Sequence, residues 1–305
     1  MKLIVTIPAY NEVSTISQVI ASIPRKLPGI VSVKVLVWSD GSTDETVAKA
    51  KTAGADYVFA NKKNLGLART FDLATKKAVE LGADIVVNTD ADNQYDQSEI
   101  AMLVAPLIAE TADVVNGNRQ VESLTHMSHS KKYGNQLGSW VIRWLTGLKI
   151  QDASSGFRAY TAEAIRKLTI FSKHTYTHET LIQIAFGDLQ ITEVPVTFNA
   201  RQSEAGPSRL VSNVFTHITK SGSTIIRTIL TYKALRVFIT MGALELGLAV
   251  LIGLRYLWFM FNGLSGGHVQ SLILASMLFN MGLVSILIGI IADLIAVNRK
   301  THESI

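Results

Sequence analysis

The chain has 305 residues, of which 48% are hydrophobic and 17% are charged, and its net charge is +5. It contains no cysteine, which excludes disulfides, thiolate metal sites and cysteine nucleophiles. A basic, apolar chain suits anionic lipid or phosphorylated substrates. No nucleic-acid partner is expected, because the basic residues concentrate near the apolar C-terminal segments.

Strand-like runs alternate with helical patterns through the first half of the chain. The predicted strands are residues 3–7, 33–37, 57–60, 85–88 and 114–116. The predicted helices are residues 14–22, 44–53, 67–81 and 99–110. Alternation at this spacing predicts an α/β domain with a mostly parallel sheet flanked by helices, and ligands of such sheets bind at the carboxyl ends of the strands.

A polar cluster follows each of the first four predicted strands. The clusters are residues 8–12, 39–44, 64–69 and 89–94. Turn and capping chemistry explains each cluster taken alone. Four clusters at one edge of a sheet favour a nucleotide-type pocket instead. The glycine-rich sequences of P-loop proteins and of dinucleotide folds are both absent, so neither class is expected.

The fourth cluster points to a metal. If the backbone stays extended past Thr89, then Asp90, Asp92 and Gln94 point the same way. Hard oxygen atoms suit Mg2+ or Mn2+, and Mg2+ usually binds one or two carboxylates together with phosphate oxygens. The cluster therefore predicts a metal–diphosphate site. The alternative is a polar loop that caps the helix expected to begin near Ser98.

The middle of the chain has a helical pattern at residues 131–148, followed by a small-residue loop predicted at residues 151–160. Asp152 and Arg158 flank that loop. Glu179 begins the next predicted helix, where the helix macrodipole alone already favours an acid.

A further strand is predicted at residues 191–199, and a Gly-Pro loop follows it. Arg201 and Arg209 lie on either side of this loop. Two arginines so placed are able to clamp a phosphate, and the alternative is a solvated basic loop.

The C-terminal third is apolar. Residues 210–235 are predicted to form an amphipathic helix at the interface of an anionic membrane, with a core helix as the alternative. Two apolar segments, about residues 237–261 and 269–292, each reach the roughly 20 residues that cross a bilayer. Glu245 and Arg255 interrupt the first segment, so they are expected at the helix–helix contact, near an interface or beside a polar ligand.

Basic residues flank the two predicted spans and are absent from the link between them. The positive-inside rule therefore predicts an integral membrane protein with both termini cytoplasmic. Two spans are compatible with a hairpin within one chain and with a homo-oligomer.

The ordered motifs at residues 8–12, 39–42, 90–94 and 117–119 resemble those of the family 2 inverting glycosyltransferases with the GT-A fold, in particular the polyprenyl- and dolichyl-phosphate mannose synthases. The resemblance covers about the first two-thirds of the chain. It implies a cytoplasmic GT-A catalytic domain at residues 1–209. The amphipathic helix at residues 210–235 and a transmembrane hairpin with a short cytoplasmic tail at residues 236–305 complete the expected organisation.

The resemblance also implies a role for each matching position. The positions implied to bind the nucleotide-sugar are Pro8, Tyr10, Glu12, Asp40, Asp90, Ala91 and Asp92. Those implied to bind the cofactor, Mg2+ or Mn2+, are Asp92 and Gln94. Those implied to contact acceptor phosphate or donor diphosphate are Arg119, Lys131, Asn135, Arg201 and Arg209. The catalytic candidates are Asp92, Arg119, Asp152 and Glu179. Ser39 stands where many relatives have a second acid, which leaves the preferred nucleobase open.

The implied activity is a metal-dependent, inverting transfer of one sugar, from a GDP-mannose or UDP-glucose type of donor to polyprenyl or dolichyl phosphate in the cytoplasmic leaflet. A lipid phosphate has a second pKa of about 6 and needs no strong base to attack. The alternative acceptor is a hydroxyl of a lipid-linked saccharide, for which Asp152 or Glu179 is the candidate base. The non-enzyme alternative is a membrane scaffold that binds nucleotide-sugar.

Overall fold

A computed structural model of the chain describes residues 1–172, 175–201, 214–263 and 269–303, and the side chains of all of these except residues 214–233 and 296–303. The chain divides into two compact units, Met1–Ile225 and Ile226–Ile305.

The first unit is built on a seven-stranded sheet. Its strands are β1 (Lys2–Ala9), β2 (Ser32–Ser39), β3 (Tyr57–Ala60), β4 (Ile85–Asn88), β5 (Val114–Asn118), β6 (Arg158–Thr161) and β7 (Ile191–Pro195). The strand order is β3-β2-β1-β4-β6-β5-β7. β6 pairs antiparallel with both of its neighbours, and all other pairs are parallel. The predicted mostly parallel sheet is confirmed.

Both faces of the sheet are covered, because alternate side chains of the central strands enter two different cores. In β1, Leu3, Val5 and Ile7 pack into one core and Ile4 into the other. The first core is closed by α1 (Ile16–Ser22), α2 (Thr46–Thr52) and α4 (Ile100–Ile108), with a 3-10 turn at Gln97–Glu99 leading into α4. The second core is closed by α3 (Leu67–Glu80), α5 (His129–Thr146), α6 (Ala162–Lys167) and α7 (Thr177–Phe186).

The loop expected at residues 151–160 is wrong in its last three residues, which belong to β6. Arg158 begins this strand with its side chain fully buried. Its Nε donates to Asn116 Oδ1 at 2.6 Å, and its Nη1 donates to the carbonyl oxygen of Thr177 at 2.9 Å. A four-residue strand that begins with an arginine lacks the apolar pattern from which strands are predicted. The strand expected at residues 191–199 is also too long, since β7 ends at Pro195.

The second unit contains most of α8 (Val214–Phe261) and all of α9 (Val269–Glu303). Within them, Ala234–Phe261 and Val269–Ile295 are long and apolar enough to cross a membrane, and most of their side chains are exposed. The separate amphipathic helix expected at residues 210–235 is not seen as such, because α8 continues unbroken from residue 214. Residues 210–213 lie outside the described residues, and the boundaries at 209 and 235 stay predictions.

The two apolar helices touch through glycine. A Cβ atom added at Gly242 would lie 2.7 Å from the carbonyl oxygen of Gly282, so the two backbones are in direct contact there. One turn further along α8, Glu245 accepts a hydrogen bond at 2.8 Å from Ser285 Oγ of α9. Glu245 therefore lies at the helix–helix contact, which is one of the three locations expected for it.

We expect Gly242→Ala to destabilise this helix pair by about 1–3 kcal/mol, because the new methyl group meets a backbone carbonyl that cannot rotate away. Gly247→Ala is the matched control on the same helix, since nothing lies within 4 Å of its added Cβ. Thermal unfolding of the detergent-solubilised chain measures both variants. Equal midpoints would contradict the close crossing.

Candidate active site

The loops after β1 and β2 are tied together at the carboxyl edge of the sheet. Asn11 takes a left-handed conformation, with φ of 54°, and its Oδ1 accepts a hydrogen bond at 2.8 Å from the amide of Thr43. The amide of Glu12 donates to Thr46 Oγ1 at 2.9 Å. These contacts fix the first two polar clusters relative to one another.

Asp40 anchors the third cluster. Its buried carboxylate accepts hydrogen bonds from the amides of Leu65 at 2.8 Å and Gly66 at 2.9 Å, and from Asn61 Nδ2 at 2.9 Å. The carboxylate therefore shapes the loop that starts α3. Its direct role towards a nucleotide stays a prediction.

The fourth cluster turns instead of staying extended. β4 ends at Asn88, and Asn93 has a φ of 60°, so simple alternation does not explain how Asp90 and Asp92 come together. The two carboxyl groups nevertheless share one pocket. Burial and the charge of Asp92 raise the pKa of Asp90 to about 7. Burial also raises the pKa of Asp92, against the opposing charge of Arg201.

Arg201 joins the first and fourth clusters. Its Nη2 lies 3.0 Å from Glu12 Oε1, and its Nη1 lies 3.3 Å from Asp92 Oδ2. The residue predicted to clamp a phosphate therefore lies across two of the predicted donor-side acids. The negative charge of Glu12 also raises the pKa of Asp90, so Glu12, Asp90 and Asp92 form one electrostatically coupled group of acids.

The residues around Asp92 fit a divalent ion. The pKa values of Asp90 and Asp92 stay raised despite the charges of Arg119 and Arg201, so a further cation would be favoured here, and hard carboxylate oxygens suit Mg2+ or Mn2+. Within the described part of the chain, no group of three or more His, Cys, Asp or Glu side chains is placed to hold a metal ion. A site of one or two carboxylates completed by substrate oxygens is the arrangement that Mg2+ commonly takes. Gln94, the second predicted ligand, donates through Nε2 to the carbonyl oxygen of Asn199 at 3.0 Å.

A second group forms around Asp152. Arg119 forms a bidentate ion pair with this carboxylate, with Nε 2.7 Å from Oδ2 and Nη2 2.8 Å from Oδ1. Asn135 of α5 donates to the same Oδ1 at 2.9 Å. Burial alone would raise the pKa of Asp152, but the charge and hydrogen bonds of Arg119 prevail and lower it to about 2. The charge of Arg119 also acts on Asp90, where it partly opposes the rise in pKa. The two groups are therefore linked electrostatically.

The other predicted residues are dispersed. Glu179 is buried at the start of α7, where its oxygens accept hydrogen bonds from the amides of Phe171 at 2.9 Å and Ser172 at 3.1 Å. Lys131 is exposed on α5. The remaining three predicted residues lie at strand ends or beside the turn: Pro8 and Ala91 are buried, and Tyr10 is partly exposed. Arg209 lies outside the described residues.

Glu193 of β7 was missed from the sequence. Its Oε1 accepts hydrogen bonds from Asn116 Nδ2 at 2.8 Å and the amide of Asp152 at 3.1 Å. Its Oε2 accepts from the amide of Gln151 at 2.9 Å and Asn118 Nδ2 at 3.2 Å. Glu193 thus holds the backbone from which Asp152 reaches Arg119. Its only sequence signal is an acid within a short predicted strand.

We expect Glu193→Gln to destabilise the first unit by about 1–3 kcal/mol, because the new NH2 group faces donors in a site that needs an acceptor. Activity should fall as well, since Asp152 loses its support. Glu163→Gln is the control, because Glu163 lies exposed beside Lys167 on α6. Thermal unfolding and turnover of both variants provide the measurement, and a Glu193 variant that matches the control would contradict this role.

Gly156 is a second residue without a predicted role. A Cβ atom at this position would lie 3.0 Å from both Asp90 Oδ1 and the hydroxyl of Tyr176. The backbone thus approaches the acidic pocket at a distance that only glycine permits. The small-residue character of residues 153–156 was its only sequence signal.

Comparison with known proteins agrees with this geometry. The model of the glycosyl transferase family 2 matches residues 4–169, which is more than half of the chain. An undecaprenyl-phosphate mannosyltransferase of Micrococcus luteus is 27% identical over 70% of this chain and 89% of its own length. A UDP-N-acetylglucosamine–dolichyl-phosphate N-acetylglucosaminyltransferase of Methanococcus voltae is 30% identical over 62% of this chain and 82% of its own length. A dolichyl-phosphate hexose transferase of Haloferax volcanii is 29% identical over 66% of this chain and 85% of its own length.

Among solved structures, glucosyl-3-phosphoglycerate synthase from Mycobacterium tuberculosis is similar in fold. Its complex with Mn2+, UDP-glucose and glycerol 3-phosphate has a TM-score of 0.58 and 23% identity, over 76% of this chain and 79% of that one. The expected GT-A fold is confirmed. With its family matched over most of the catalytic unit and its acidic and arginine groups at the carboxyl edge of the sheet, the chain belongs to the glycosyl transferase family 2.

Proposed function

We propose that the chain transfers one sugar from a nucleotide-sugar to a polyprenyl or dolichyl phosphate, with inversion at the sugar carbon. The three relatives described above are named for undecaprenyl or dolichyl phosphate, and they differ in the sugar that they transfer. Their shared acceptor class supports a lipid phosphate here. Because their sugars differ, the relatives do not favour a GDP-mannose type of donor over a UDP-glucose type for this chain.

The observation that carries this proposal is the state of the two candidate bases. Asp152 has a pKa of about 2 and is held by Arg119, so it is a poor proton acceptor near neutral pH. The oxygens of Glu179 are engaged by two backbone amides. A hydroxyl acceptor would need one of these carboxylates free, whereas a phosphate acceptor needs neither.

The bond changes balance without a base. A phosphate oxygen attacks the anomeric carbon from the side opposite to the donor diphosphate. The new carbon–oxygen bond forms as the old one breaks, and the electron pair leaves with the nucleoside diphosphate. No proton moves at the acceptor when the phosphate is a dianion. The result is a glycosyl phosphate lipid with inverted configuration.

The protein's contribution is to hold charges in place. Asp92 and Gln94 would hold a divalent ion, which when bound supplies positive charge beside the leaving diphosphate. Arg201 lies beside Asp92 and is positioned on the same donor side. Arg119 is held rigidly by Asp152, so its guanidinium is oriented before the acceptor phosphate arrives.

The two apolar helices support a membrane anchor for this enzyme. We place the catalytic unit on the cytoplasmic side with both termini, because Lys233 and Arg236 precede the spans, Arg299 and Lys300 follow them, and the link carries no Lys or Arg. Such an anchor suits an acceptor whose hydrocarbon chain stays in the bilayer.

The test is sugar transfer into extractable lipid by purified protein in vesicles that contain polyprenyl phosphate. Radiolabelled GDP-mannose, UDP-glucose and UDP-N-acetylglucosamine are supplied separately with Mg2+ or Mn2+. We expect label in the lipid phase from one donor, and its loss with a chelator. Transfer that occurs only when a lipid-linked saccharide is added would move the assignment to a hydroxyl acceptor. Nucleotide-sugar binding without turnover on any lipid would support the scaffold alternative.

Glu179→Gln separates the two acceptor classes. We expect turnover per folded molecule to fall far less than the roughly 10²–10⁴-fold that loss of a general base brings, because Glu179 supports residues 171–172 and does not take a proton. Turnover is measured with the donor identified above and scaled to the folded fraction. A loss within that range would favour a hydroxyl acceptor.

A further inference from the structure

Helix α5 has its apolar side on the outside. Four large side chains on it are exposed: Tyr133 by 67%, Leu137 by 44%, Trp140 by 55% and Trp144 by 73%. Their spacing of four, three and four residues places them on one face of the helix. The rings of Trp140 and Trp144 stack with their centroids 6.5 Å apart. These four residues are called the α5 stripe.

The opposite face of α5 builds the acceptor side of the active site. Ile142 is fully buried in the second core, and Ser139 Oγ accepts a hydrogen bond at 3.0 Å from the amide of Ala153. Asn135 donates to Asp152, the carboxylate that orients Arg119. These contacts anchor the helix by its inner face, and none of the side chains that the structure describes in this unit covers the stripe.

The charged side chains around the stripe are mostly basic, although Glu122 accepts a hydrogen bond at 3.2 Å from Gln136 of α5. Residues 123–151 contain no Asp or Glu, and they carry Lys131, Lys132, Arg143 and Lys149. Tryptophan and tyrosine beside lysine and arginine are the residues that favour the headgroup region of a bilayer, where an apolar ring and a polar edge are both satisfied. Four large, exposed apolar side chains on one helix face are a candidate interaction surface.

We propose that the α5 stripe rests in the headgroup region of an anionic membrane, as a second membrane contact of the catalytic unit besides the C-terminal helices. The proposal rests on the membrane anchor in the proposed function. Lipid is the occupant favoured over a protein partner, because basic side chains outnumber acidic ones around the stripe and, in the proposed function, the apolar spans of the same chain anchor it in a bilayer.

This contact would set the depth of the active site. A helix with its side chains is about 10–12 Å across, so Asn135 and Asp152 lie roughly that far from the lipid side of α5. The headgroup layer on each side of the hydrocarbon core is roughly 5–8 Å deep, so the site would lie at its outer edge, close to the layer in which the phosphate of a lipid acceptor lies. Arg119 would then meet the phosphate without its polyprenyl chain leaving the bilayer.

Site-directed spin labelling tests the contact directly, because the chain has no cysteine to remove. Leu137→Cys and Trp144→Cys carry the label on the stripe. Lys51→Cys is the control, since it is exposed on α2 and that helix covers the other face of the sheet. The full chain is reconstituted into vesicles of mixed phosphatidylcholine and phosphatidylglycerol, and each label's access to oxygen and to a water-soluble nickel chelate is measured.

We expect high oxygen access and low nickel access at both stripe positions, and the reverse at Lys51→Cys. Stripe labels as accessible to nickel as the control would overturn the proposal. Low access to both reagents, with spin–spin broadening that disappears on dilution with unlabelled protein, would show a contact between copies and would also overturn it. The accessibility measurement does not depend on enzyme turnover, so its result tests the membrane contact separately from the proposed sugar transfer.

A functional measurement adds a second criterion. Trp140→Gln/Trp144→Gln should reduce transfer to long-chain polyprenyl phosphate in vesicles at least about tenfold, because the membrane contact loses two apolar rings. Transfer to a short-chain, water-soluble prenyl phosphate should stay unchanged. Equal loss on both acceptors would mean that the stripe supports the active site itself, and would overturn the proposal.

Discussion

Asp92→Asn is expected to lower sugar transfer by roughly 10²–10³-fold, the size of effect seen when one electrostatic contributor to a transition state is removed. Asparagine has the same shape but no charge. The donor-side pocket would lose the carboxylate that pairs with Arg201 and that is best placed to bind a divalent ion. The measurement is turnover with saturating donor across a series of Mg2+ and Mn2+ concentrations. Higher metal concentrations should recover only part of the activity.

Asp96→Asn is the matched control, because Asp96 lies in the same loop but its side chain caps a helical turn. Its Oδ1 accepts a hydrogen bond from the amide of Ser98 at 2.9 Å and caps the 3-10 turn before α4. Asparagine also caps well at such positions, so transfer should stay near the wild-type rate. A folded Asp92→Asn protein that is as active as the Asp96 variant would contradict the assignment of the donor side.

Arg119→Gln should have the largest effect on the acceptor side, in two separable ways. It leaves the buried Asp152 without its cation, which costs about 3–5 kcal/mol of folding stability. It also removes the fixed positive charge that we propose faces the acceptor, so transfer should fall by roughly 10²-fold or more. Thermal unfolding and turnover scaled to the folded fraction measure the two effects independently.

A double variant separates them. Arg119→Gln/Asp152→Asn replaces the ion pair with two neutral amides and should recover much of the lost stability, because no unpaired charge remains buried. Activity should stay low, because the guanidinium is still absent. Arg25→Gln is the exposed control: Arg25 pairs with Asp56 at 2.6 Å at the surface, where such a pair contributes little to stability. Recovery of activity in the double variant would mean that Arg119 only neutralises Asp152.

Local patterns in the sequence predicted the first five strands, the helices between them and the two spans, but not β6. β3 and β4 have the predicted bounds, because short runs of apolar and β-branched residues are typical of strands. The carboxyl-edge rule then predicted that Glu12, Asp40 and Asp90 lie on the site side of the sheet. The two C-terminal spans followed from length and composition alone, and the structure confirms that both are helices long enough to cross a membrane.

Only the tertiary structure decided how the candidate residues are partnered. The four donors to Glu193 come from residues 41 to 77 positions away, a separation at which no local pattern operates. The same holds for Arg201, which reaches Glu12 across 189 positions. Chain topology brings these groups together, and burial then sets their pKa values: about 7 for Asp90 among acids and about 2 for Asp152 within an arginine fork. Both are aspartates at the ends of loops, and their environments in the fold, which the sequence does not display, make them chemically different.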